Sequence, residues 1–584
     1  MFPSEKDLRV REERVRAAFE DVKNGRLSRR EFLRWASVMG AGTLAAALVS
    51  SCGGTPEPTA TPKIVEVTKV VEKPVTQVVE KPVTQIVQVT PTIPPTPVGG
   101  VTRGGKLVSN YNYTTERFTD PALITTTFHA NVIRQVCDWL VKIGPDMKLK
   151  PALATEWTPS ADGLKWTIKL RKGVKFNHGK PFTADDVVFT FKRLLSTETA
   201  SAFKSVANYL KPDAVQKVDD FTVVFNCERA VADFPYHLHD YHAAILPADW
   251  TGDFYKSPWG TGPFVIEDYR PGERITYKRR DDYWDMGVDG KPLPYLDQLE
   301  FRSYPDQTSW LDALGKGELH LNAFDVSTMP FIIKLDATVR AVIWQTGNFW
   351  NGVLRCDSKP FNDPKVRKAF KLAMDRQTYI TNALMNYGIV AWDQPISPLY
   401  ELAPTLAGFK RDVEQAKKLL AEAGYPNGMD LKLQFFNDTG HTNICQWMQN
   451  SAAAAGFRIT LAPLPTYYQT WLKPWDPFVM GADNWAMRAT PSEFFNIAYR
   501  SNGDWNEYHW SNEQFDKLLA QSDAELDPTK RKAQYQQMCQ IVSDDGGVVV
   551  PAYRQDMVAA NRMVQGFAPS PIVADYYAAV WLKK

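Results

Sequence analysis

Two consecutive copies of an eight-residue unit, Val71–Val78 and Val79–Ile86, limit the part of this 584-residue chain that can form a packed fold. Each copy carries a proline, which removes a backbone donor and interrupts helices and central strands. The repeat lies in a stretch rich in proline, threonine and valine that ends near residue 103. We therefore predict a semi-extended tether over residues 52–103 and expect the packed fold within residues 104–584.

The residues before the tether have the organisation of an export signal. A twin arginine, Arg29-Arg30, precedes an uncharged run of 15 residues from Trp35 to Val49. A run of this length is shorter than the ~20 residues that span a bilayer, so residues 1–51 are predicted to be a cleavable signal peptide. The paired arginines favour the twin-arginine export route, with the general secretory route as the alternative. The mature protein is expected outside the cytoplasm.

The end of this signal predicts a lipid anchor. The segment Val49–Cys52 resembles the bacterial lipobox, in which the cysteine is acylated and becomes the new N-terminus. An ordinary signal peptidase site with a chance cysteine is the alternative. Two or three lipid chains on Cys52 would hold the mature protein at the cell membrane, in the periplasm or on the outer face.

The charge balance of the mature chain excludes some partners. The whole sequence has 68 Lys and Arg and 66 Asp and Glu, and removal of residues 1–51 leaves 58 and 59. This balance has no basic excess that would attract nucleic acid or an anionic membrane surface. We expect no nucleic-acid partner.

The cysteines after Cys52 do not define a scaffold. They are Cys137, Cys227, Cys356, Cys445 and Cys539. Their number is odd and none forms a Cys-x-x-Cys pair, so neither a zinc site nor a disulfide framework is indicated. One or two bridges stay possible outside the cytoplasm.

Strand and helix periodicities alternate along residues 104–584. The predicted elements are a strand at 164–170, a helix capped by Thr183, a helix opened by Asp363-Pro364, a helix from Asp412 to Gly424, a strand at 429–435, a helix at 444–455 and a strand at 457–461. Interleaved strands and helices imply α/β layers. About 480 residues exceed one hydrophobic core and suffice for two or three domains.

Three ordered blocks of sequence carry a family resemblance. The first comprises Pro151–Trp157 and Leu170–Val187, the second Gly260–Phe264 with Asp282–Trp284, and the third Pro360–Arg376. These blocks closely resemble those of the family 5 extracellular solute-binding proteins, the dipeptide, oligopeptide and nickel receptors of ABC importers. The similarity extends over essentially everything after the tether.

The resemblance implies an α/β fold of the periplasmic-binding-protein type (type II-like), with two lobes, a hinge cleft and an additional inserted domain. The implied ranges are 104–145, 256–345 and 548–584 for the first lobe, 146–255 for the inserted domain, and 346–547 for the second lobe.

The resemblance also implies a function. The protein would capture a solute by closing its two lobes and deliver it to an ABC permease, whose ATPase drives transport. It would act as a monomer, without a cofactor and without catalysing a reaction. A peptide is the favoured ligand. An oligosaccharide ligand, a non-transporting sensory receptor and a secreted hydrolase are the alternatives, although the sequence has neither Gly-x-Ser-x-Gly nor His-Glu-x-x-His.

A histidine cluster is a possible metal site. Three imidazoles, His237, His239 and His242, together with Asp240, are ligand types that zinc and nickel accept. In a strand, however, His242 would project to the side opposite the other two. We predict surface or partly buried histidines and no bound metal.

Ligand contacts are predicted in the second lobe. In peptide-binding members an aspartate after a Gly-Trp pairs with the ligand's amino group, and the matching stretch here is Gly481–Phe495. Arg488 lies about where that aspartate would be, and a cation there suits a carboxylate or another acceptor. The predicted ligand-binding residues are Tyr113, Trp350, Asn484, Trp485, Met487 and Arg488. The alternative for Arg488 is an ion pair with a neighbouring acid, away from the ligand.

Overall fold

The computed structural model describes residues 100–111, 120–124, 127–405, 408–464, 478–572 and 576–584. The predicted signal peptide, Cys52 and residues 53–99 of the predicted tether lie outside these residues, and so does Tyr113. Among the helices within the described ranges, none combines the length and the apolar character needed to cross a bilayer.

The described elements alternate between strand and helix. The strands are β1 (Lys106–Asn110), β2 (Val141–Ile143), β3 (Leu149–Pro151), β4 (Ala154–Pro159), β5 (Lys165–Leu170), β6 (Val215–Asp219), β7 (Thr222–Asn226), β8 (Phe264–Arg270), β9 (Arg274–Arg279), β10 (Gln298–Arg302), β11 (Leu321–Ala323), β12 (Val339–Gln345), β13 (Phe349–Leu354), β14 (Gly388–Val390), β15 (Met429–Phe436), β16 (Phe457–Leu464), β17 (Met480–Trp485), β18 (Val548–Val549), β19 (Ala552–Asn561), β20 (Val564–Gln565) and β21 (Trp581–Leu582). The helices are α1 (Thr127–Val136), α2 (Ala184–Leu195), α3 (Phe203–Val206), α4 (Phe234–His237), α5 (Gln307–Lys316), α6 (Met329–Lys334), α7 (Pro364–Ala373), α8 (Arg376–Asn382), α9 (Val413–Glu422), α10 (Thr439–Ala453), α11 (Pro491–Ala498), α12 (Glu513–Ala524) and α13 (Pro528–Asp545).

The first lobe is built on the largest sheet. Its strand order is β12-β19-β11-β1-β10-β9-β8, with β14 added on β19. β1 pairs in parallel with β10 and β11, whereas β19 runs antiparallel to both of its neighbours. The lobe therefore joins segments from distant parts of the chain.

The inserted domain shares its core with the first lobe. Strands β4, β5, β7 and β6 form a separate antiparallel sheet. Trp166 and Phe191 of this domain lie in the same buried cluster as Leu107 and Phe301 of the first lobe. Because one apolar cluster spans both parts, we treat them as one packed unit.

The second lobe has its own sheet and its own cores. Its strand order is β16-β15-β17-β13-β18. β15 pairs in parallel with β16, and helix α10 connects them. One buried cluster lies around Phe370 and Met448, and a second around Phe495 and Tyr535. Two strands lie on the other side of the predicted domain limits. β14 falls in the range predicted for the second lobe but joins the first sheet, and β18 falls in the range predicted for the first lobe but joins the second sheet. The domain limits themselves stay a prediction.

The predicted helices and strands are confirmed, and their caps explain where they begin. At the start of α2, the Asp186 carboxylate accepts from the Thr183 N–H at 2.8 Å, inside the positive first turn. Asp363 caps α7 and Asp412 caps α9, each through its side chain. Helix α10 begins at Thr439, five residues before the predicted start, because Asp438 caps it.

The two lobes are joined at strand ends. β12 of the first lobe leads into β13 of the second, and β18 leads back into β19. Asp393 lies beside this return: it forms a buried ion pair with Arg376 and accepts from the Val550 N–H at 3.1 Å. These links set the edge at which the lobes meet.

The five cysteines of the folded part carry free thiols. Four are buried, and Cys356 is partly exposed. Burial raises the pKa of Cys356 to about 11, so this thiol stays protonated at neutral pH. The bridges that the sequence left open do not form among these residues.

Candidate functional site

A cleft of about 640 Å³ opens between the two lobes. The first lobe contributes residues of β1, β11 and β19, and the second contributes residues of β13, α8 and α10. Neutral polar and aromatic side chains dominate the lining, among them Asn322, Asn348, Trp350, Tyr379 and Asn443. A volume of this size suits a drug-sized or short oligomeric ligand.

Trp350 forms the second-lobe wall of the cleft. Its ring meets the His441 ring edge-on, with centroids 4.7 Å apart. A Cβ on Gly440 would lie 2.1 Å from Trp350 Cζ2, so only a glycine lets the indole occupy this place. The His441 Nδ1 is 2.9 Å from Asp438 Oδ2, which orients the imidazole at the start of α10.

A buried polar network supports this wall from behind. The Trp485 indole N–H donates to Glu507 Oε1 at 2.9 Å, and the Asn351 amide donates to the same oxygen at 3.0 Å. Burial raises the pKa of Glu507 well above its usual range, and the nearby Asp483 carboxylate raises it further. Trp485 is therefore held inside the second lobe, where it positions the strand that ends at the cleft.

Arg488 lies beside the cleft rather than in its lining. Its guanidinium carbon is 5.6 Å from the Trp485 ring centroid and 5.7 Å from that of Trp505, distances typical of cation–π contacts. Its carbonyl accepts from the Tyr400 hydroxyl at 2.7 Å. The positive charge also opposes the effect of burial on the pKa of Glu493. These contacts tie Arg488 to its own lobe.

Arg554 brings a positive charge to the cleft from β19. Its Nε is 3.2 Å from Asp556 Oδ1, while Asp556 Oδ2 accepts from the Asn348 amide at 2.7 Å. Its guanidinium carbon lies 5.7 Å from the Trp350 ring centroid. A cation and an aromatic ring from different lobes therefore face each other across the cleft.

The predicted ligand residues are distributed unevenly around this site. Trp350 and Met487 line the cleft. Asn484 is exposed and Trp485 is buried, and neither belongs to the lining. Their contact with a ligand stays a prediction, as does that of Arg488. Sequence reasoning missed Arg554, because no local pattern marks a single arginine in a strand as facing a cleft.

The three histidines of the inserted domain have protein partners. His237 Nδ1 lies 2.5 Å from the Tyr209 hydroxyl, His239 Nδ1 3.0 Å from the Val141 carbonyl, and His242 Nδ1 2.7 Å from Asp240 Oδ1. All three are buried, whereas surface or partly buried side chains were expected. Burial lowers the pKa of His239 to about 3, with help from the nearby Arg134. These contacts account for the cluster as structural.

The fold and the cleft define a two-lobed solute-binding receptor, and comparison with known proteins places it in a family. The family model for bacterial extracellular solute-binding proteins, family 5 Middle, matches residues 148–507. The chain belongs to this family. Its members are extracytoplasmic receptors for small ligands that work with the permease and ATPase of an ABC importer, and they are not enzymes.

Individual relatives agree with this assignment. Heme-binding protein A of Haemophilus influenzae is 29% identical over 502 residues, covering 79% of this chain and 89% of that protein. The oligopeptide-binding protein AppA of Bacillus subtilis is 26% identical over 470 residues, covering 74% and 83%. The crystal structure of the ABC transporter substrate-binding protein CtaP of Listeria monocytogenes superposes with a TM-score of 0.75 at 23% identity, covering 83% and 100%. That likeness concerns the fold.

Proposed function

We propose that this receptor captures a peptide by closing its lobes and delivers the peptide to its permease. The observation that carries the proposal is the cleft itself, where Trp350 and Met487 of the second lobe stand across from Arg554 of the first. Aromatic and thioether side chains provide adaptable apolar contact, and the amides around them match the hydrogen-bonding groups of a peptide backbone. The similarity to an oligopeptide-binding relative supports the same ligand class.

Thermal shift measurements test the ligand class. A ligand at ~100 times its dissociation constant stabilises the protein by about 2.7 kcal/mol. We expect such a shift from a library of short peptides and none from oligosaccharides or simple organic acids. Mass spectrometry of the ligand that co-purifies with the native protein gives an independent answer. A shift with oligosaccharides alone would replace the peptide by the sugar alternative.

We further propose that Cys52 carries the lipid anchor, that residues 1–51 direct export through the twin-arginine route, and that the mature protein is a monomer tethered by residues 52–103. The support is the sequence pattern of the signal and the repeat. Cys52→Ala should release the protein from the membrane fraction or leave it unprocessed, whereas Cys356→Ala should leave membrane partition unchanged. Wild-type protein found in the soluble fraction would contradict the anchor.

Arg29→Lys combined with Arg30→Lys tests the route. Export should fail if the twin arginines are read as a pair and continue if the general secretory route is used.

A further inference from the structure

Arg554 has a special position in the cleft. Among the described residues that line it, Arg554 is the only lysine or arginine side chain, and Asp325 and Asp556 are the only acids. The guanidinium is part of the first lobe, yet Trp350, whose ring centroid lies 5.7 Å from the guanidinium carbon, belongs to the second. A ligand held at this point would contact both lobes.

The backbone around Arg554 is fixed. Its N–H donates to the Asn348 carbonyl at 2.9 Å, and its own carbonyl accepts from the Thr346 hydroxyl at 2.8 Å. Both partners lie in the segment that joins β12 to β13. The root of the side chain is therefore held at the junction of the lobes, which keeps the loss of freedom on binding small.

The guanidinium itself is incompletely used by the protein. Its contact with Asp556 involves Nε and is too poorly aligned to be a hydrogen bond. Within the part of the chain that the structure describes, its two Nη groups donate to no protein acceptor. One third of the side chain, 33%, is exposed. A guanidinium offers a planar fork of donors, so its Nη groups remain available for a planar acceptor.

A structural arginine in the same lobe provides the contrast. The Nη1 of Arg280 donates to the carbonyls of Gly260 and Gly262, and its Nη2 donates to the Lys175 carbonyl and to Asp282. That guanidinium is buried and fully engaged. If Arg554 served only to brace its strand, we would expect a similar set of acceptors around it.

We propose that Arg554 is the specificity-determining residue of the cleft and binds a carboxylate of the ligand through its Nη groups, so that the receptor selects peptides with a free carboxyl end. The proposal rests on the function proposed above. The carboxylate would lie in the plane of the guanidinium, beside the face of Trp350, and its charge would be balanced without a second cation. Asp556 would stay beside Nε as an ion-pair partner.

The experiment compares matched ligands. Random tripeptide and tetrapeptide libraries are prepared as free acids and as C-terminal amides, and the best-binding pair is measured by calorimetry. A hydrogen-bonded charge pair in a cleft is worth about 10- to 100-fold in affinity. We expect the wild type to bind the acid tighter than the amide by this factor. Arg554→Gln should bind both forms equally, at the affinity of the wild type for the amide.

Arg562→Gln is the matched control. Arg562 follows the same strand but lies outside the cleft lining, where it pairs with Asp336 at 2.6 Å, so the preference for the acid should persist. Arg554→Lys should retain part of the preference, since an ammonium keeps the charge but not the planar fork.

Two outcomes would overturn the proposal, and they differ in what they leave standing. Equal binding of acid and amide by the wild type, or an undiminished preference in Arg554→Gln, removes the role of Arg554 while a peptide ligand remains. Failure of every peptide to bind the wild type removes the peptide ligand and this proposal together. The acid and amide comparison in the wild type is decisive even if Arg554→Gln does not fold.

Discussion

Asp233 of the inserted domain and Arg531 of the second lobe form an ion pair from which water is largely excluded. The same guanidinium nitrogen donates to the Tyr535 hydroxyl at 2.8 Å. Next to the pair, the Ala232 N–H donates to the Asp523 carbonyl at 2.8 Å. The inserted domain is thus fastened to the second lobe at a point outside the cleft lining.

Loss of one member of this pair should be costly. Arg531→Met leaves the Asp233 carboxylate buried without its partner, which typically costs about 3–5 kcal/mol. We expect a clear fall in the urea midpoint. Asp233→Leu combined with Arg531→Met should recover much of the loss. The exposed pair Lys517–Glu513, at 2.8 Å, is the control, and Lys517→Ala should cost less than about 1 kcal/mol. Equal effects of both single variants would contradict the buried role.

Gly440→Ala should damage binding without damaging the helix. The new Cβ would overlap the Trp350 indole, so the ring must leave its place in the cleft wall. We expect at least about tenfold weaker ligand binding and a changed tryptophan emission, with a melting temperature within a few degrees of the wild type. Gly315→Ala in α5, where the nearest atom is a flexible Leu335 methyl at 3.3 Å, should leave both unchanged. Unchanged binding in Gly440→Ala would exclude Trp350 as a ligand contact.

Arg488→Ala distinguishes between two roles for Arg488. The sequence predicts a ligand contact, whereas the contacts of the side chain indicate a structural role. Loss of its two indole partners should lower the stability of the empty protein by about 1–2 kcal/mol. Ligand affinity should change less than about threefold, whereas Met487→Ala, in the lining, should weaken it more. If Arg488→Ala abolishes the ligand-induced thermal shift and leaves the empty protein unaffected, Arg488 is a ligand contact.

Glu493 should make stability depend on pH. Burial raises its pKa from 4.5 to about 7, the Arg488 charge opposes the rise, and Asp240 adds to it. Between these two values the folded state binds more protons than the unfolded state, so the free energy of unfolding falls as the pH rises from about 4.5 to about 7. Glu493→Gln should lose less stability than the wild type between pH 5 and pH 8, as measured by urea unfolding at both. Glu513→Gln, at an exposed site, should lose as much stability as the wild type over this pH range. If Glu493→Gln loses as much as well, the Glu493 carboxyl titrates normally and the prediction is wrong.

Local patterns were enough to predict the elements. Thr183, Asp363 and Asp412 begin helices at the predicted positions because a side chain that caps a helix acts on the next few residues. The strand predicted at 429–435 is β15, since alternating burial is a property of neighbouring residues. The family resemblance added the prediction of a two-lobed fold and of Trp350 as a cleft residue.

The composition of the cleft depends on contacts that no local pattern records. Arg554 reaches Trp350 only because β19 enters the first sheet directly after β18 has completed the second. Arg488 is only two residues from the lining residue Ala486, but it lies outside the lining. Its guanidinium contacts the ring of Trp505, which lies in a separate loop. For such residues, distance along the sequence gives no measure of distance in space.

The position of β19 has a consequence for how the protein is made. This strand lies inside the first sheet, between β12 and β11, although it is built from residues 552–561. A ribosome must therefore synthesise nearly the whole chain before the sheet that begins with residues 106–110 can close. Until then, the backbone donors and acceptors of β12 and of one edge of β11 have no strand partner. A sheet with such long-range strand pairing forms slowly. The nascent chain would therefore need protection from aggregation until its last segment is available.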